Sequence, residues 1–348
     1  MLVALKKEIV LRKDYLQDQQ IETIYFGGGT PSLLDVSEIE SLLETITKNF
    51  KVNPEAEITI EANPDDLTLS KVNELHLTPI NRFSIGTQSF FDDDLIWMNR
   101  VHRAEEAESA IKRVQDAGFE NITIDLIYGF PLLSDLKWLS NIDKALVLGV
   151  PHISSYSITT EPKTALADFI KKGKQLPMSD LQSASQFEIL MQKLSHSGFE
   201  HYEISNFARP GRYSKHNSSY WKGVSYLGIG PSAHSFNQLS RQWNVANNAR
   251  YIDQLNQDII PAETEILSKK DRLNEYIMTS LRTIWGLDLH KIETDFGPEL
   301  KLQTERSVQK FLHKDQLTDN NGVITLTQEG KLFADYIASQ LFADEDFN

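Results

Sequence analysis

The stretch IYFGGGTPSLL, residues 24–34, is the part of the sequence that decides the fold. A β-rich apolar run ends in three glycines, and Pro31 and Ser32 then begin a helix. Glycines let the backbone approach a ligand closely, and the exposed N–H groups of such a turn bind carboxylates or phosphates. No Gly-Lys-Ser or Gly-Lys-Thr follows, so the turn is not a P-loop. Taken alone, such a turn is weak evidence for a specific ligand site, because about half the time it is only a tight turn or a generic anion site.

The first 160 residues alternate short apolar runs with helical stretches, such as residues 36–49 and 104–117. This alternation indicates parallel βα units and predicts an α/β fold, a partial (β/α) TIM-like barrel over residues 1–235. In such folds the functional groups lie at the carboxyl ends of the strands. The predicted strands are residues 22–27, 57–62, 82–88, 121–129 and 152–159, and further elements at 179–196 and 201–204 precede a Gly-, Ser- and Asn-rich loop at 208–240.

The pattern changes beyond about residue 265. Two predicted helices at 269–283 and 300–313 are followed by the turn Asp-Asn-Asn-Gly at 319–322. A strand at 323–326 and a last helix at 328–341 complete the order. This arrangement predicts a C-terminal helical, winged-helix-like domain over residues 236–348.

Composition excludes several classes of function. The net charge of -14 argues against a nucleic-acid surface, which requires clustered Lys and Arg. No apolar run is long enough to span a membrane, and the N-terminal MLVALKKEIVLRKDYL reads as an amphipathic helix and not as a signal peptide. The cytoplasm is therefore the expected location. The sequence contains no cysteine, which excludes disulfides, zinc–thiolate sites, thiol nucleophiles and cysteine-ligated iron–sulfur clusters.

Polar side chains stand at the ends of successive predicted strands. Glu61 lies in TIEANPDDLT, Gln88 in SIGTQSFF and Asp125 in ITIDLIYGFP, and Arg100 follows in NRVHR. Any one of them has a structural interpretation, for example a solvated acid at a strand end or a salt-bridge network. Their joint occurrence favours a site, because a polar side chain that interrupts an apolar strand needs a partner.

The order GGGTPS, EANP, GTQSF, NRVHR, DLIYGFP resembles the HemN-type radical S-adenosylmethionine (SAM) proteins over residues 22–131, and later segments extend the resemblance over most of the chain. It implies that the glycine turn holds the methionine end of SAM. Arg100 would face the SAM carboxylate, and Gln88 and Asp125 its ribose. The implied SAM residues are Gly28, Gly29, Thr30, Glu61, Gln88, Arg100 and Asp125.

The stretch KHNSSYW, residues 215–221, resembles the heme-binding signature of the HemW branch of this family. The resemblance implies that His216 ligates heme iron and that Tyr220 and Trp221 pack on the porphyrin. The structural alternative is a loop histidine bonded to backbone, with two aromatic side chains covering the barrel. His234, in GIGPSAHSF, and Tyr226 are weaker candidates for the ligand.

The sequence departs from the family in one respect. Such proteins carry Cys-x-x-x-Cys-x-x-Cys after a first strand, whereas here Met1 begins at the helix that follows. The barrel is therefore expected to lack its first strand. A [4Fe-4S] cluster is expected in the intact family member only, and this chain should be inert in radical chemistry. A truncated or misassigned start explains this better than a natural truncation. The missing strand would leave the edge of residues 22–27 open to dimerisation.

The leading functional hypothesis is a HemW-like heme chaperone that binds heme and transfers it to acceptor proteins, with SAM as a second ligand. One alternative is oxygen-independent oxidation of coproporphyrinogen III in porphyrin biosynthesis. The other is an unrelated α/β barrel that binds a phosphorylated small molecule at the glycine turn.

Overall fold

A computed structural model describes residues 1–17 and 19–343 of the chain. The last five residues of the predicted C-terminal domain lie outside this range. Internal contacts group the chain into two units, one of Met1–Ile24, Ser37–Ala56 and Lys215–Asn348, the other of Tyr25–Val36 and Glu57–Ser214. The predicted domain division after residue 235 stays a prediction.

A seven-stranded sheet has the order β1-β2-β3-β4-β5-β7-β6. Strands β2 to β5 are paired in parallel, and β7 and β6 are added antiparallel. Ile60, Phe83 and Ile124 are fully buried, as expected for parallel strands whose two faces are both covered. The strands are β1 Ile21–Phe26, β2 Val52–Ala62, β3 Arg82–Gln88, β4 Asn121–Tyr128, β5 His152–Ser157, β6 Glu200–Glu203 and β7 Asn206–Ala208.

Helices alternate with these strands, which confirms the predicted βα units. α2 buries Ile39, Leu42 and Leu43 on one face, and α5 ends before Gly118, which has a φ of +95°. The helices of this part are α1 Leu2–Leu11, α2 Val36–Asn49, α3 Leu69–His76, α4 Asp92–Trp97, α5 Ala104–Asp116, α6 Asp135–Val147, α7 Ala165–Lys171 and α8 Asp180–His196, with 3-10 turns at Pro31–Leu33 and Pro64–Asp66.

The remaining elements form two small antiparallel sheets with helices. The hairpin between β12 and β13 turns through Asn321 and Gly322, whose φ values are +56° and +86°, as a two-residue type I′ turn requires. The elements are α9 Lys215–Trp221, β8 His234–Phe236, β9 Ser240–Asn244, α10 Asn248–Asn256, β10 Ala262–Ile266, α11 Lys269–Leu281, β11 Leu287–Asp288, α12 Leu289–Phe296, α13 Pro298–Leu312, β12 Leu317–Asn320, β13 Val323–Leu326 and α14 Ala334–Gln340, with a 3-10 turn at Gly330–Phe333.

Three local predictions were wrong. KHNSSYW is the helix α9 and not a loop. The last helix begins only at Ala334, because residues 330–333 form a 3-10 turn. Asp319 and Asn320 belong to β12, so the turn is confined to the two residues that adopt positive φ.

Candidate functional site

The glycine turn after β1 is tied to Glu61 at the end of β2. The backbone N–H of Gly28 donates to Glu61 Oε2 at 3.0 Å, and the Tyr25 hydroxyl donates to Glu61 Oε1 at 2.8 Å. Burial, assisted by the Glu61 carboxylate, raises the pKa of Tyr25 well above its ordinary value, so the phenol keeps its proton. Glu61 is therefore not simply a solvated acid at a strand end, because both of its oxygens accept hydrogen bonds from the strand and turn beside it.

Gln88 and Arg100 both lie over Gly86 in β3. Arg100 Nη2 donates to Asn63 Oδ1 at 2.8 Å and approaches the Gly86 carbonyl oxygen at 3.4 Å. A Cβ atom on Gly86 would lie 3.0 Å from Gln88 Nε2 and 3.1 Å from Arg100 Nη2, so the missing side chain makes room for both groups. Gln88 has a φ of +64°, at a point where the register between β3 and β4 shifts.

Asp125 stands on β4, next to the residue that pairs with Gln88. Its side chain is half-buried. Burial and the charge of Glu61 raise the pKa of Asp125 to about 7, against the opposing effect of Arg100. The electrostatic influence of both residues on Asp125 indicates that the three charged groups lie near one another. The strand ends thus bring Gly28, Glu61, Gln88, Arg100 and Asp125 to one region.

The rest of the glycine turn has its own backbone requirement. Gly28 and Gly29 have φ values of +77° and +65°, which side chains disfavour. Thr30 is half-buried and precedes the 3-10 turn Pro31–Leu33. Sequence reasoning missed Tyr25 and Asn63. The available signals were the position of Tyr25 shortly before the glycines and that of Asn63 two residues after Glu61.

This arrangement suits a ligand that carries an amino-acid end and hydroxyl groups. Backbone N–H groups and a guanidinium can pair with a carboxylate, and acidic oxygens accept from ammonium and hydroxyl donors. Arg100 supplies a guanidinium that is already oriented by Asn63. Asp125 supplies a carboxyl group that becomes a pure acceptor when it ionises.

The second candidate site is on α9. His216 and Tyr220 are one turn apart, their rings meet edge to face at 5.0 Å, and His216 Nε2 lies 3.2 Å from the Tyr220 hydroxyl. His216 Nδ1 lies 2.8 Å from Thr23 Oγ1. Burial lowers the pKa of His216 to about 4, so the imidazole is neutral at pH 7. Neutral imidazole is the form that binds metals.

The neighbouring aromatic side chains differ in their surroundings. The Tyr226 ring packs edge to face on Tyr220 at 4.6 Å, so this residue joins the group around His216. Trp221 is half-buried, with the Arg282 guanidinium 5.1 Å from its ring centroid. The structure places His234 on an exposed strand position beside Trp243, with 6.5 Å between the ring centroids.

The residues present do not fit a cysteine-ligated iron–sulfur cluster. The sequence has no cysteine. Within residues 1–17 and 19–343, no three His, Asp or Glu side chains are grouped as metal ligands. In the same ranges no helix has the length and apolarity to cross a membrane.

Family models match two parts of the chain. Residues 4–159 match the radical SAM superfamily, and residues 267–333 match the HemN C-terminal domain. The structure resembles that of the coproporphyrinogen III oxidase HemN from Escherichia coli, with a TM-score of 0.84 over 98% of this chain and 82% of that one. At 23% identity this likeness establishes the fold alone, and it confirms the predicted partial-barrel class with a helical C-terminal region.

Curated relatives share much more sequence. The heme chaperone HemW of Bacillus subtilis is 33% identical over 340 residues, which covers 97% of this chain and 89% of that protein. The heme chaperone HemW of Lactococcus lactis is 32% identical, covering 94% and 86%, and that of Mycobacterium tuberculosis is 33% identical, covering 98% and 85%. With the strand-end groups and the α9 motif in place, these similarities show that the chain belongs to the HemW family of radical SAM proteins.

Proposed function

We propose that this chain binds heme and passes it to acceptor proteins. The similarity to proteins named heme chaperone HemW over nearly the whole chain carries this proposal. The α9 motif supports it, because it presents a neutral imidazole together with aromatic rings. We place this role in the cytoplasm.

His216 is the proposed iron ligand. Thr23 is bonded to Nδ1 and orients the ring, as outer partners of metal-binding histidines commonly do. Nε2 is directed at the Tyr220 hydroxyl, so iron ligation through Nε2 requires the Tyr220 side chain to rotate away. Tyr220 is 40% exposed, so part of its side chain already faces solvent. Its ring would then pack against the porphyrin.

Hemin titration with absorbance detection tests this proposal. We expect a saturable Soret shift at one hemin per chain. His216→Ala should remove the ligand band and weaken binding by at least about tenfold. Tyr220→Ala should change the affinity less, because the loss of packing on the porphyrin is opposed by the removal of the hydroxyl that occupies Nε2. His313→Ala is the matched control, because His313 is an exposed histidine at the end of α13.

Two results would oppose the proposal. One is a Soret spectrum that does not change specifically under saturating hemin. The other is an equal effect of His216→Ala and His313→Ala, which would indicate scattered surface binding. Transfer from the hemin-loaded chain to an apo-heme protein, measured in the acceptor's spectrum, then tests delivery.

SAM is the second proposed ligand. The fit rests on the glycine turn, the oriented Arg100 guanidinium and the acids Glu61 and Asp125. Because no thiolate is available in this chain, we derive no radical step from SAM. The proposed SAM residues are Gly28, Gly29, Thr30, Glu61, Gln88, Arg100 and Asp125.

The alternatives receive less support. The likeness to HemN carries the fold and not its oxidase activity. The match to the radical SAM superfamily argues against the hypothesis of an unrelated barrel that binds a phosphorylated small molecule. Dimerisation through the open edge of β1, which is the terminal strand of the sheet order, stays a proposal for size-exclusion chromatography.

A further inference from the structure

Two cation–indole pairs join the end of α9 to the segment that follows α11. The Lys222 ammonium lies 4.2 Å from the ring centroid of Trp285, and the Arg282 guanidinium lies 5.1 Å from that of Trp221. The pairs cross, since each segment supplies one cation and one indole. They hold residues 220–224 against residues 282–285, and we name this surface the indole patch.

The indole patch exposes apolar groups beside its cations. Tyr220 is 40% exposed, and Val224 and Ile284 are each 45% exposed. Scattered apolar residues on a surface are ordinary, but a cluster that includes aromatic rings and held cations indicates a binding surface. The ligand that fits has a flat apolar body and negative charge at one edge.

The two cations differ in whether they make an ion pair. Arg282 makes an ion pair with Asp335 at 2.8 Å. Lys222 is exposed, and it makes no ion pair with any residue that the structure describes. In a chain whose net charge is -14, a lysine without an ion pair is a local positive charge that can attract an anion.

We propose that the indole patch binds the carboxylate-bearing edge of heme, with Lys222 as the principal partner of a propionate and Arg282 as the second. This inference rests on the proposed heme function. Lys222 continues the helical hydrogen bonding of α9, since its N–H donates to the Ser218 carbonyl. It therefore lies about 9 Å along the helix axis from His216, at a rise of 1.5 Å per residue. The helix α9 and the residue after it thus carry the proposed iron ligand, a ring for the porphyrin face and a cation for its acidic edge.

The test compares hemin with hemin dimethyl ester, in which both propionates are esterified and uncharged. The wild-type chain should bind hemin about tenfold more tightly than the ester at low salt, because a charge-assisted contact is lost with the ester. Lys222→Gln should reduce this preference to about twofold and leave ester binding unchanged. Arg282→Gln should reduce the preference less. Lys310→Gln is the matched control, because Lys310 also lies over an aromatic ring, at 5.3 Å, on α13.

The outcomes separate this inference from the function on which it rests. If wild-type chain binds both ligands equally, or if Lys222→Gln weakens both by the same factor, the indole patch does not recognise carboxylates and the inference is wrong while heme binding stands. If neither ligand gives a specific Soret change, the proposed function itself fails. A preference for hemin that Lys222→Gln and Arg282→Gln leave intact, as Lys310→Gln does, also overturns the assignment.

Discussion

Asp125→Asn tests the strand-end site, because ionising this carboxyl group costs free energy in the folded chain. Burial and the neighbouring Glu61 raise its pKa from 3.8 to about 7. The folded chain therefore holds a proton at Asp125 between about pH 4 and pH 7, where the unfolded chain has released it. The resulting stability is fully present below pH 4 and is lost as the pH rises through 7.

The magnitude follows from the two pKa values. Their difference corresponds to at most about 4 kcal/mol in the free energy of unfolding, at 1.36 kcal/mol for each tenfold change. Asparagine is neutral at every pH and has nearly the same shape. At pH 8 the Asn variant should therefore be more stable than wild type by about 2 to 4 kcal/mol, whereas at pH 4 the two should agree within about 1 kcal/mol.

Urea unfolding followed by circular dichroism at several pH values measures this difference. Subtracting wild type from variant at each pH cancels the other titrating groups. Asp116→Asn, at the exposed end of α5, is the control and should show a difference that is small at every pH. A difference for Asp125→Asn that does not grow between pH 5 and pH 8 would refute the account of Asp125 as a carboxyl group held neutral by its surroundings.

Two further substitutions probe other parts of the chain. Glu8→Ala should lower the free energy of unfolding by about 3 to 5 kcal/mol, because it leaves the buried Arg12 guanidinium, 3.2 Å away, without its carboxylate. Thermal or urea unfolding measures this loss. A loss below about 1 kcal/mol would contradict the prediction. Gly86→Ala should weaken SAM binding by about tenfold and change the unfolding midpoint little, because the new methyl group displaces the flexible ends of Gln88 and Arg100. Calorimetric titration with SAM measures the affinity. An unchanged affinity would show that those two groups do not contact the ligand.

Local patterns predicted the parallel part of the fold well. The bounds of α2 and β3 agree with the sequence prediction, because their apolar spacing is regular and their flanking residues mark clear ends. β2 begins at Val52, five residues earlier than predicted, because Asn53 and Pro54 suggest a turn. α9 was missed because His, Asn and Ser favour a helix weakly, whereas in the structure the helix packs with Ser218 buried.

The sequence also predicted only part of the candidate strand-end site. The rule that parallel strands end at one edge predicted that Glu61, Gln88 and Asp125 would meet. It could not predict that Tyr25 would bond Glu61, because this contact depends on the spacing of side chains across β1 and β2. Nor could it predict that Asn63 would orient Arg100, because Arg100 lies in the segment between α4 and α5 and not on a strand. The first contact is visible only when the register of the sheet is known, and the second only when the path of the chain after α4 is known.

Because the sequence has no cysteine, heme binding by this chain can be measured apart from radical chemistry. Radical chemistry requires an electron from a thiolate-bound cluster, and this chain offers no thiolate. Heme binding by an imidazole requires none, and His216 is neutral and oriented by Thr23 without a cluster. If the proposed heme site is right, hemin affinity measured on this chain reports on α9 and the indole patch. If the HemW relatives bind heme through these same groups, this chain should match their hemin affinity while it leaves SAM uncleaved under reduction; a hemin affinity that depends on a restored cluster would place the heme site elsewhere.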